Sequence, residues 1–153
     1  MLSEGRHRVA MADVDAAGII YYASPLRWAE VLFGNWLESA GHPISSMLAA
    51  GVATPVVSAR VGYRSLLGLD DHCRLELRTE RVGVTSFRTR CEVWGPREPK
   101  PAVEVLVTYV YVAYVRQGAN GATGPQARKQ PLPRWLQDAL EAGLTPAPQG
   151  GKK

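Results

Sequence analysis

One segment of this chain repeats its apolar residues at helical spacing, and most of the chain beyond it repeats them at strand spacing. Leu26, Ala29, Leu32, Phe33, Trp36, Leu37 and Ala40 recur in steps of three and four, with Arg27, Glu30 and Glu38 on the other side. Ser24 suits an N-cap, Pro25 the first helical position and Gly41 the stop. The apolar stripe is broad and needs a sheet to lie against. Ser45 to Ala50 carries a second, shorter helical signal. After Thr54-Pro55 the period becomes two. Val57, Ala59, Val61 and Tyr63 alternate with Ser58, Arg60, Gly62 and Arg64. Cys73, Leu75 and Leu77 alternate with Arg74, Glu76 and Arg78, and Phe87, Cys91 and Val93 with Arg88, Arg90 and Glu92. All three read as half-buried strands. Ala102 to Val115 is apolar on both faces beyond Leu106, as in a strand covered on both sides or at a subunit contact.

Arg8 to Asp13 reads as a short strand ahead of the helix. Turn signals at Gly68 with Asp70-Asp71, at Gly83, and at Gly95-Pro96 separate the later strands. Links of hairpin length imply antiparallel neighbours. The expected architecture is α+β, an antiparallel sheet curled round one long helix. With 153 residues, a single domain over residues 1–144 is the natural division. Gln117 to Gln130, rich in Gly and Ala, reads as a loop, and Pro133 to Gly143 as a short terminal helix. The Pro/Gly/Lys end, residues 145–153, reads as a disordered tail.

The net charge of +4 and pI near 9.3 are mild, and the arginines are scattered along the strands. A solvated surface accounts for them; attraction for a phosphate-bearing ligand is the sharper reading. No nucleic-acid motif is present, and no basic run is interleaved with aromatics, so no nucleic-acid partner is expected. Cys73 and Cys91 lack metal-ligand spacing and fall on apolar strand faces, as buried thiols in a reducing compartment would. No apolar run resembles a signal peptide or spans a bilayer, so a cytoplasmic protein without a membrane partner is expected. His7, His42 and His72 read as surface or turn residues.

The chemistry concentrates in Asp13-Val14-Asp15-Ala16-Ala17-Gly18-Ile19-Ile20-Tyr21-Tyr22. Two carboxylates end an extended segment, a glycine turn follows, and a helix then opens. That order sets a carboxylate beside the N–H-rich start of a helix, which stabilises a developing anion. Asp13 reads as a turn or capping group. Asp13, Asp15 and Gly18 also match part of a calcium loop, but Ala17 and Ser24 occupy places where that loop needs ligands, and no metal is expected.

The Asp-x-Asp-x-x-Gly-hydrophobic-hydrophobic-aromatic-Tyr stretch, the Arg27-Trp28 helix and the Thr54-Pro55-Val56-Val57-Ser58 strand resemble the hotdog-fold acyl-CoA thioesterases, with the Pseudomonas-type 4-hydroxybenzoyl-CoA thioesterases as the nearest branch. The resemblance runs from about Arg8 to about Leu136. It implies a sheet wrapped round a central helix, and a dimer, often paired into a tetramer, with active sites at the dimer interface. It implies hydrolysis of an acyl-CoA to a free acid and coenzyme A without cofactor, coenzyme A being part of the substrate. Aromatic acyl groups of the benzoyl type come first, and short or medium aliphatic ones, on coenzyme A or on an acyl-carrier protein, second.

The resemblance makes Asp15 the catalytic acid and the Tyr22 backbone N–H the donor to the thioester oxygen, with Gly18 turning the chain between them. Asp15 acts either as a nucleophile, through a mixed anhydride, or as a general base on water. Thr54 and Glu30 match acyl-pocket positions, and Trp28 joins them; strand propensity, a solvated helix face and simple packing are the plain alternatives. Relatives hold the coenzyme A phosphates with basic residues before a Ser-Phe pair. Here Gly83-Val84-Thr85 precede Ser86-Phe87 and that basic cluster is absent; the candidates are Ser86, Arg88 and Arg90 on the strand, and Arg128 with Lys129, solvated surface charge being the plain alternative. Hotdog hydratases need a His paired with an acid, and the motif has none. A non-catalytic acyl-thioester-binding protein on the same fold is the other alternative.

Overall fold

The computed structural model describes residues 1–97, 99–115 and 126–144, so the expected tail and residues 117–125 of the expected loop lie outside them. The elements are β1 (Ser3–Arg8), α1 (Ser24–Ser39), α2 (Ile44–Ala49), β2 (Val52–Ala53), β3 (Val56–Tyr63), β4 (His72–Val82), β5 (Ser86–Trp94), β6 (Val103–Val110), β7 (Val112–Val115), β8 (Gln126–Lys129) and α3 (Arg134–Ala142). Five strands form one antiparallel sheet in the order β1-β4-β5-β6-β3, and β2-β7-β8 form a small second sheet. This is the hotdog architecture, α+β, with α1 as the central helix.

Helix and sheet face each other along the periodicities of the sequence. Trp28, Ala29, Leu32, Phe33, Trp36 and Leu37 turn one side of α1 into the core. Cys73, Leu75, Leu77, Phe87, Cys91, Val93, Val103, Val105 and Val107 meet them from the inner face of the sheet. Tyr109 stacks against both Phe33 (centroids 4.4 Å apart) and Phe87 (5.0 Å), the three rings forming one cluster. Each such aromatic contributes about 2–3 kcal/mol through burial. Burial pushes the Cys73 thiol up to about 11, assisted by the Asp71 and Asp13 carboxylates, and the Cys91 thiol up to about 12, assisted by Glu92. Both are unreactive core groups in the thiol form.

The outer face of the sheet explains the scattered arginines. Glu4, Glu76, Glu92 and Glu104 stand opposite one another across β1, β4, β5 and β6. Like charges directly opposite repel. The rows beside them supply the counter-charges: Arg74 and Arg78 pair with Glu76, and Arg90 pairs with both Glu80 and Glu104.

Several expectations are corrected. Arg8 to Asp13 is not a strand: β1 ends at Arg8, and Met11–Asp13 is a single 3-10 turn. The apolar run from Ala102 is two strands, because the chain turns at Tyr111 and passes from the large sheet to the small one. The strands β3 and β4 are not neighbours; the 64–71 link carries the chain from one edge of the sheet toward the other, and β3 pairs with β6 instead. Gln126 to Lys129, read as loop, forms β8 on β7. Ser24 does not cap α1 from outside; it is the first helical residue, and its hydroxyl donates to the Asp13 carbonyl at 2.8 Å. Among the described residues no helix is long and apolar enough to cross a membrane.

Candidate active site

The 3-10 turn after β1 delivers Asp13 to the gap between the sheet and the start of α1. Its carboxylate is 3% exposed and fully engaged. Arg27 Nη2 donates to Oδ1 at 2.6 Å and Trp28 Nε1 at 3.0 Å. His7 Nε2 and the Ala10 N–H each donate to Oδ2 at 2.8 Å. Desolvation pushes this acid up, but the backbone bond from Ala10 and the side-chain bonds from Trp28, His7 and Arg27 outweigh it, holding it down at about 2 from an ordinary 3.8. Asp13 is the capping group expected of it, with a wider set of partners than a turn requires. His7 is corrected from a surface residue: it is half-buried, with its ring against Trp28 at 4.5 Å. His42 is likewise not free, since its ring stacks on Trp135 of α3 at 3.5 Å.

Beyond Asp13 the chain makes a small hairpin in which Val14 bridges Ile20. Its tip is a turn closed by the Gly18 N–H donating to the Asp15 carbonyl at 3.0 Å. Gly18 takes φ +74°, a left-handed conformation costly to any residue with a Cβ. The Asp15 side chain is exposed; Oδ1 accepts the Ala17 N–H at 2.8 Å, and Oδ2 has no partner among the described residues. The returning strand leads to Tyr22, 68% exposed, two residues before α1 begins. The Tyr22 N–H has no hydrogen-bond partner among the described residues, while its carbonyl accepts the Tyr63 hydroxyl from β3. An accessible carboxylate and an unpaired main-chain donor thus occupy the same short loop at the N-terminal end of α1.

The other expected site residues separate into groups. Glu30 and Thr54 line one cavity of about 400 Å³ between α1, α2 and the small sheet, walled by Phe33, Met47, Val52 and Tyr109. Its lining is nearly all apolar, and Asp15 is not part of it. Trp28 lies on the other side of α1, its indole committed to Asp13. Ser86 pairs with Val110 and Lys129 with Val112, so the backbone brings both to the corner at Tyr111. Arg88 shares a strand face with Ser86 and donates to Thr108 Oγ1 at 3.0 Å; Arg128 and Lys129 are exposed on β8. No hydrogen bond or ion pair joins these four among the described residues.

Sequence reasoning missed His7, Tyr63 and Tyr109. For Tyr109 a signal existed, an aromatic within the apolar run. For His7 and Tyr63 none did, because their partners are set by the crossing of β1 and β3 with the loop.

The chain matches the family model described as the thioesterase-like superfamily over residues 9–140. A protein of Aquifex aeolicus named as an esterase is 30% identical over 82 residues, 54% of this chain and 64% of that protein, so the match spans under two thirds of that relative's length. The 1,4-dihydroxy-2-naphthoyl-CoA hydrolase of Thermosynechococcus vestitus is 23% identical over 141 residues, 92% of each chain. The crystal structure of a 1,4-dihydroxy-2-naphthoyl-CoA thioesterase from Synechocystis superposes with a TM-score of 0.76 at 21% identity, covering 90% of this chain and 94% of that one.

Proposed function

Because the chain belongs to the thioesterase-like superfamily, we propose that it is a thioester hydrolase that cleaves an aromatic acyl-CoA to the free acid and coenzyme A. The observation that carries the reading is the pairing, on one loop, of an accessible Asp15 carboxylate with a Tyr22 N–H that has no partner among the described residues. A thioester carbonyl seated there meets an attacking group at carbon and a donor at oxygen. In one route Asp15 attacks, expels the thiolate and leaves a mixed anhydride that water opens. In the other it takes a proton from water as that water attacks, and the C–S bond then breaks to release the thiolate, which takes up the proton. In both, negative charge gathers on the carbonyl oxygen, where the Tyr22 N–H and the positive end of α1 stabilise it; one such donor is worth about a hundred- to a thousandfold in turnover.

The Asp-x-Asp-x-x-Gly motif, similar to that of the 4-hydroxybenzoyl-CoA branch, supports a benzoyl or hydroxybenzoyl acyl group. Relatives named for a dihydroxynaphthoyl substrate support the wider aromatic class. The Glu30 carboxylate in the cavity is a fitting acceptor for a ring hydroxyl. A second reading, a short or medium aliphatic acyl group, is favoured by how apolar the rest of that cavity is. We assign the coenzyme A phosphates to Arg88, Arg128 and Lys129 with Ser86.

The assembly is a homo-oligomer, a dimer or a tetramer, with acid and acyl pocket brought together across the dimer contact. What supports this is β3. It is an edge strand of the large sheet, exposed along nearly its whole length, with Val56 and Val57 in the open. An apolar edge of that kind needs covering.

Thiol release from benzoyl-, 4-hydroxybenzoyl- and octanoyl-CoA tests the reading. Release fastest from an aromatic substrate and abolished in Asp15→Ala is the expected result. No release from any acyl-CoA overturns hydrolysis in favour of simple binding.

A further inference from the structure

We propose that Asp13 is a positioning residue that sets the spacing between the Asp15 carboxylate and the Tyr22 N–H. The inference rests on the assignment of those two groups to the proposed hydrolysis.

The loop that carries them leaves the sheet at one point and must rejoin the helix at another. Within it the Asp15 N–H donates to the Ile19 carbonyl at 3.0 Å, and one peptide group closes its base. The Asp13 carbonyl accepts the Tyr21 N–H at 2.7 Å and the Ser24 hydroxyl at 2.8 Å. Asp15 lies two residues beyond one side of this closure, and Tyr22 one residue beyond the other. The side chain of the same residue then ties the closure to both layers: to the sheet side through His7 and Ala10, and to α1 through Arg27 and Trp28. Hydrogen bonds to an ionised acceptor are stronger than neutral ones, and more so out of water.

The rest of the hairpin is held separately. The Ile20 N–H donates to the Leu67 carbonyl and the Leu69 N–H to the Gly18 carbonyl. Those bonds keep the loop folded but do not fix how far Asp15 stands from Tyr22. An Asp13→Asn side chain keeps the shape and replaces one acceptor oxygen with a donor that faces other donors. The closure must then tilt. Displacing a reacting group by about 1 Å costs about a hundredfold in rate.

The test uses the full chain with benzoyl-CoA. Asp13→Asn lowers kcat about 30- to 100-fold with KM changed less than about threefold. His7→Ala lowers kcat about three- to tenfold, and His7→Gln, which retains a donor, recovers most of the loss. In an Asp15→Ala background, Asp13→Asn causes no further loss of the residual rate. A merely destabilising change would multiply through both backgrounds. Amide exchange at Tyr22 speeds up in Asp13→Asn. Wild-type kcat in both Asp13→Asn and His7→Ala, with Asp15→Ala inactive, overturns the positioning role and leaves the Asp15 assignment standing. Full activity of Asp15→Ala overturns that assignment instead. If Asp13→Asn does not fold, the His7 pair decides, and an unchanged kcat in His7→Ala overturns the proposal.

Discussion

Asp13 and Asp15 are chemically identical, stand two residues apart and meet opposite surroundings. Asp13 is buried and accepts four hydrogen bonds on its two oxygens. Asp15 is exposed and accepts one, on Oδ1. A carboxylate saturated with donors and depressed to about 2 is a poor base and a poor nucleophile, because everything that stabilises its charge opposes sharing it. A carboxylate with a free oxygen is available for chemistry. The pair therefore divides into a saturated fastener and an exposed carboxylate, and nothing in the side chain itself decides which is which.

That division can be broken experimentally. Asp15→Ala is expected to cut turnover on the best acyl-CoA about a thousandfold while leaving thermal stability within about 0.5 kcal/mol of the parent; thiol release and thermal unfolding check the two halves. Asp13→Ala is expected to do damage of another kind. It strands the Trp28 and Ala10 N–H groups and lowers stability by about 2–3 kcal/mol, read by denaturant unfolding.

The pH dependence of stability sharpens the contrast. The folded value of Asp13, about 2, lies below its ordinary 3.8. Its contribution, about 2 kcal/mol, is therefore fully present above the ordinary value. It is lost as the pH falls through 3.8 toward 2. Asp13→Asn should flatten that acid limb in urea titrations. Gly18→Ala is a smaller perturbation, costing about 1 kcal/mol at its positive φ and lowering kcat more than it raises KM. Weakest of all is the effect of a thiol reagent on the native protein. Cys73 and Cys91 are buried and held in the thiol form, so labelling at about pH 8 should await unfolding, followed by absorbance.

The apolar cavity and the loop differ in how far the sequence reveals them. The helix stripe from Leu26 to Leu37 and the alternation in β4 and β5 were legible, because burial on one face imposes a period that the order of residues displays. The Asp15–Gly18 turn was legible for a local reason too: a glycine at positive φ and an Asp bonding two residues on are short-range devices. What stayed hidden was non-local. Strand β3 sits at an edge and not beside β4, since a turn signal marks where a chain bends and not which strand it then joins. Tyr111 looks like the middle of a strand, and only packing against Thr85 and Gln130 makes it a corner.

The sequence by itself determined the α+β class, the central helix, and a motif in which an acid, a glycine turn and a helix start come one after another. These are properties of contiguous residues, and the chain can state them without folding. Only the tertiary structure decided that His7, Arg27 and Trp28 meet on Asp13 while Asp15 is left exposed, and that Glu30 and Thr54 share a cavity from which Asp15 is absent. The reason is that the environment of a charge is set by whatever folding brings within about 3 Å of it, and here those groups come from a strand, a turn and a helix.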